Sequence, residues 1–163
     1  MATMHINDVK ALAHKAHTDV AIRQSMFEDV LADDGRRSSL AAWVLTHLPS
    51  DDDAFVDSHR DDLVHVALST SDTSLRRLAL TLLNRLEWPK EAVRTDFLDF
   101  TLEHLSSPDE PYGVRSLCIK LAFAQCVHYS ELREELRQVL LMIEPSEIGP
   151  GIRNTRNKIL GRL

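Results

Sequence analysis

Arginine is the residue type whose placement most invites a chemical reading in this sequence. Residues 73–86, TSLRRLALTLLNRL, carry Arg76, Arg77 and Arg85 and no acid in a leucine-rich run. Guanidinium groups bind carboxylates and phosphates through paired hydrogen bonds. These arginines therefore either meet a partner molecule or hold the fold together. Other candidate chemistry is thinner. His14 and His17 stand three apart, and Asp61 and His65 four apart, as metal ligands on one helix face can. Neither pair has further ligands at a recognisable spacing, so both are read as ordinary surface or boundary residues. No metal or cofactor is expected. The GPG at 149–151 fits neither a dinucleotide-binding fingerprint nor a P-loop and is read as a turn. No catalytic motif is present, so no catalytic residue is assigned and a non-enzyme is expected.

Composition narrows the setting. With 163 residues, 44% apolar and 27% charged, the chain has the make-up of a folded globular domain. Its net charge of −6 disfavours a wholly basic nucleic-acid binder. No apolar run approaches the ~18 residues of a membrane span, so no membrane partner is expected. The start, MATMHINDVK, lacks the basic-then-apolar pattern of a secretory signal. Cys118 and Cys126 fall on one expected helix, about 12 Å apart along its axis, too far for a disulfide. Both are read as small core residues, which suits a reducing cytoplasm.

The elements that would position the arginines are helices. Every proline, together with Gly35, Gly113, Gly149 and Gly151, falls between apolar-periodic segments, and only Gly161 lies inside one. Between these breaks the apolar spacing is three and four, as in Val93, Phe97, Phe100 and Leu105, and no run alternates like a strand. The pattern predicts helices near 5–16, 18–32, 36–48, 54–69, 73–87, 90–107, 112–128, 130–144 and 151–163. Asp72 and Ser130 are expected caps. The polar stretch PSDDDAFVDSHRDD, residues 49–62, is expected to hold a loop and a broken or short first turn.

Four of these segments repeat. Aligning Arg37, Arg76, Arg115 and Arg153 puts Trp43, Leu82, Leu121 and Ile159 in one column, and Val44, Leu83, Ala122 and Leu160 in the next. Each segment follows another amphipathic helix, so the unit is a helix pair. The expected organisation is a single domain, 1–163, with repeats near 18–48, 54–87, 90–128 and 130–163 and a leading helix at 5–16. Over roughly residues 18 to 163 the chain resembles the HEAT/armadillo-type helical repeat family. The resemblance rests on repeat length, helix pairing, prolines or aspartates in the turns, and the apolar–arginine start of the later second helices. It implies an all-α, right-handed α-α superhelix, a solenoid of about four HEAT-like pairs. The pattern departs at Arg36, where the other repeats have Leu75, Val114 and Ile152.

Charge is partitioned between the two members of each pair. The second helices, taken as 36–48, 74–86, 113–127 and 152–163, hold 11 of the 19 Lys and Arg and none of the 25 acids. The column of Arg37, Arg76, Arg115 and Arg153 sits at helix starts, against the dipole, so each is expected to have a structural role beside a local acid. In the family this chain resembles, second helices line the concave face. That implies a basic groove of Arg77, Arg85, Lys120, Lys158 and Arg162. Trp43 is expected to pack in the core, and Trp88 to sit at a turn or the groove edge. The first functional reading is a protein-interaction module and scaffold that binds an acidic peptide or protein surface. The second is nucleic-acid binding, including the HEAT-like glycosylases that excise alkylated bases. Those need an acid in the basic groove, and the second helices hold none. A third is docking through an exposed end near Ile159, Leu160 and Leu163.

Overall fold

The computed structural model describes residues 4–163, which form ten α-helices, three short 3-10 turns and no strand. The chain divides into two compact units, one ending at Leu86 and the other beginning at Glu87. The first holds α1 (Ile6–Thr18), α2 (Val20–Leu31), α3 (Gly35–Thr46), α4 (Asp53–Ser58), α5 (Arg60–Ser69) and α6 (Thr73–Asn84). The second holds α7 (Thr95–His104), α8 (Tyr112–Cys126), α9 (Ser130–Leu141) and α10 (Pro150–Leu160).

Pairs are the building unit in both. In the first, α2 packs on α3 and α5 on α6, while α3 lies against α6 and α1 covers α2 and α3. In the second, α7 packs on α8, α9 touches α8 and α10, and α8 lies against α10. Neighbouring second helices therefore stack within each unit. A lone pair cannot bury its apolar stripe, and stacking removes it from water. Phe27, Leu45, Leu63, Leu75, Leu80 and Leu82 are fully buried in the first unit, and Phe97, Leu105, Ile119, Leu121 and Leu136 in the second. Each such side chain contributes roughly 1.5–3 kcal/mol by burial.

Turn chemistry explains several boundaries. Between α2 and α3 the chain reverses through Asp33 at φ +48° and Gly35 at φ +49°. Asp72 caps α6, accepting from the amides of Ser74 at 2.9 Å and Leu75 at 3.2 Å. It also accepts from Ser39 Oγ at 3.2 Å, tying α3 to α6. Ser130 does not cap: α9 starts at Ser130 itself, with Tyr129 before it and no side-chain cap bond. The polar stretch breaks as expected, with α4 and α5 meeting at His59. That ring stacks on Phe27 at 3.9 Å and meets the edge of Phe55 at 4.9 Å. The helix expected from residue 90 begins only at Thr95, because Val93 and Arg94 are extended after a 3-10 turn at Lys90–Ala92.

The repeated arginine column is structural, and its partners are mainly backbone. Arg37 meets the expected acid, with its Nε 3.0 Å from Asp29 Oδ1. Arg76 donates to the carbonyls of Ala67 at 3.2 Å and Thr70 at 2.5 Å. Arg115 donates to Leu105 O at 3.1 Å, and Arg153 to Pro145 O at 2.8 Å and Ile148 O at 3.1 Å. For Arg115 and Arg153 the expected acid is replaced by carbonyls. The last carbonyls of a helix have no intrahelical donor and carry its negative dipole end. Arg76 and Arg115 reach such carbonyls at the ends of α5 and α7, whereas Arg153 reaches the 3-10 turn at Pro145–Glu147 and the residue after it.

Candidate functional site

In the second unit, α8 and α10 bring three expected residues together. Lys120 on α8, Lys158 on α10 and Arg162 just past its end line a depression of about 390 Å³ with Asn154, Thr155 and Ile159. No acid lines it. All three cations are exposed. Arg162 lies over the Phe123 ring at 4.6 Å, a cation–π contact that fixes the charge at the surface. Neither α8 nor α10 carries an acid, and their first turns, where acids normally complement the dipole, have none.

In the first unit the two expected residues separate. Arg77 on α6 is exposed and borders a hollow of about 300 Å³ with Arg36, Ser39, Leu40, Trp43 and Leu78. Arg85 is committed elsewhere. Its Nε and one terminal nitrogen reach Asp53 Oδ1 at 3.1 and 2.5 Å, and that nitrogen also donates to Pro49 O at 3.1 Å. The stripe aligned with Arg77 on α3 does not face solvent, since Ser38 and Ala42 are fully buried. Ser38 instead bridges the turn, donating to Asp29 O at 2.6 Å and accepting from the Asp34 amide at 2.7 Å.

The remaining candidates lie elsewhere in the fold. His17 Nδ1 lies 2.8 Å from Asp52 Oδ2, while His14 is exposed, and no metal-binding cluster exists among the described residues. Trp88 is 6% exposed and stacks on Phe97 at 5.2 Å, so it is no open platform. Cys118 and Cys126 are buried thiols outside any disulfide, and burial, with the charge of Glu135, pushes the Cys126 thiol up to about 12. Near the C-terminal end of α10, Ile159 is buried and Leu160 and Leu163 are half-buried. Pro150 opens α10, so the GPG is a turn into a helix.

Paired helices, stacked second helices and arginines fastening each pair are the features of a helical repeat. A family described as HEAT repeat domain matches residues 1–163. The chain is a HEAT repeat protein. No curated protein and no solved structure matches it. HEAT repeats generally mediate protein–protein interaction, and the family is typically a non-catalytic scaffold. Among the described residues no helix is long and apolar enough to cross a membrane.

Two features of this HEAT protein escape the repeat alignment. Arg36, Ser39, Leu40 and Trp43 form the face of α3 bordering the hollow, offset from the aligned stripe. The i, i+3, i+4, i+7 spacing of these residues is the available signal. The second is a hollow of about 620 Å³ in the second unit, where Leu102, Val139 and Ile143 meet Glu144 and Glu147.

Proposed function

We propose that this chain is a non-enzymatic interaction module that binds an acidic peptide or protein surface over Lys120, Lys158 and Arg162. One observation carries the reading. In a chain of net charge −6, three exposed cations border one depression with no carboxylate among its lining residues. Lys158 near the end of α10 and Arg162 just past it put two mutually repelling charges on the rim of one depression. An anionic partner removes that repulsion and gains charge-assisted hydrogen bonds. Complementary charge also steers encounter and selects against basic partners. We infer a reducing cytoplasm as its setting from the two buried thiols that form no disulfide.

The test is a titration of a fluorescent glutamate-rich dodecapeptide at two salt concentrations, beside labelled single-stranded and duplex DNA. The reading expects peptide binding that weakens with salt and is lost in the Lys120→Glu, Lys158→Glu double variant. Tighter binding of either DNA than of the peptide sinks it.

A further inference from the structure

We infer that the hollow between α3 and α6 is a second binding site, for an acidic peptide segment carrying one large apolar or aromatic anchor residue. This rests on the protein-interaction reading but uses none of the same residues. Arg36 and Arg77 are exposed, border one hollow, and have no guanidinium partner among the described residues. Every other arginine has one: a carboxylate, a backbone carbonyl or an aromatic face. With 25 acids in the chain, lack of carboxylates is not the reason. Asp29, Asp53 and Asp96 are each drawn to an arginine, while this pair is left facing solvent.

Between the two arginines the lining is apolar. Leu40 and Leu78 supply aliphatic surface, and Trp43 is half-buried, its body packed against the cluster of Val9, Ala13 and Val44. At about 300 Å³ the hollow sits at the low end of ligand-pocket sizes, room for one large side chain. Ser39, the one hydroxyl in the lining, already donates to Asp72. The charged donors left for a ligand are the Arg36 and Arg77 guanidinium groups, so it must bring acceptors to them. Flanking carboxylates fit the two forks, and a central Phe or Leu fits the space between them. A single-stranded nucleic acid fits less well, because stacking needs successive open aromatic faces and only Trp43 is offered.

The probe is a synthetic nonapeptide with one central Phe and four acidic residues on each side, compared with its Phe-to-Ala version and with oligo-dT. Trp43 and Trp88 are the only tryptophans, and Trp88 is stacked and buried. Iodide quenching therefore reads Trp43, and Trp43→Phe should remove the quenchable fraction. The Phe peptide is expected to protect Trp43 and to bind about tenfold more tightly than the Ala peptide. Arg36→Ala with Arg77→Ala should abolish both the protection and the preference. Lys120→Glu with Lys158→Glu should leave the preference intact. Equal binding of the two peptides, an unchanged Arg36/Arg77 variant, or equal protection by oligo-dT overturns the inference. If the peptides bind equally but need Lys120 and Lys158, this inference falls and the reading of the second unit stands. A Phe preference insensitive to Lys120 and Lys158 substitution supports this inference; if the glutamate-rich dodecapeptide is also indifferent to those substitutions, the reading of the second unit falls alone.

Discussion

Arg85→Ala should destabilise the first unit without weakening acidic-peptide binding. The guanidinium is 18% exposed and the Asp53 carboxylate 39%. It makes two contacts to Asp53 Oδ1, one to Pro49 O at 3.1 Å, and a long one to Leu45 O at 3.5 Å. Hydrogen bonds to charged groups are worth about 1.5–3 kcal/mol each when well protected. Partial exposure of the pair pulls the Asp53 contribution toward 1 kcal/mol. Truncation also strips a charged donor from the Leu45 carbonyl in the last turn of α3 and the Pro49 carbonyl in the loop after it, so the total loss is about 2–3 kcal/mol. At about 2–4 °C per kcal/mol for a chain of this size, the melting temperature should fall by about 5–10 °C. Thermal unfolding followed by far-ultraviolet circular dichroism measures it. A double-mutant cycle with Asp53→Ala should return a coupling of about 1 kcal/mol. A loss below about 0.5 kcal/mol, or a large loss of peptide affinity in the folded variant, refutes the assignment of Arg85 to the scaffold.

Caps and thiols give further tests. Asp72→Ala should cost about 1–2 kcal/mol because it removes two capping acceptors. Asp34→Ala should cost less than about 0.5 kcal/mol, because Asp34 makes no side-chain cap bond, and urea titrations of the two variants measure the difference. Cys126 should resist thiol reagents in the folded protein at pH 8 and react after unfolding. The fold raises its pKa from 9.0 to about 12, so the folded state holds this proton more tightly than the unfolded one. That stability is complete below about pH 9 and is lost as pH rises toward 12. Urea midpoints at pH 8 and 10.5 should diverge more in the wild type than in Cys126→Ala.

The helix pairs were legible because apolar spacing and prolines are local signals. The Arg37–Arg76–Arg115–Arg153 column was legible as structural for the same reason, since it recurs at each helix start. Its partners were not, because a carbonyl at Leu105 or Ile148 has no residue type to read. Arg85 and Arg162 looked alike in sequence, each near a helix end. One reaches Asp53 from 32 residues away, and the other rests on Phe123 at the surface. Such distant pairings leave no periodic trace. The face of α3 was misplaced because the alignment assumes equal rotation of each second helix. With α1 packed on α3 and Ser38 and Ala42 buried, solvent meets Arg36 and Trp43 instead. The late start of α7 was hidden because Val93 continues the apolar stripe while its backbone is extended.

The most direct measurement is the affinity of the glutamate-rich dodecapeptide for the wild type and for the Lys120→Glu, Lys158→Glu variant, each at low and moderate salt. Binding that weakens with salt in the wild type and disappears in the variant is the predicted result. Equal affinity in the two proteins contradicts the proposal that this basic depression is the binding site.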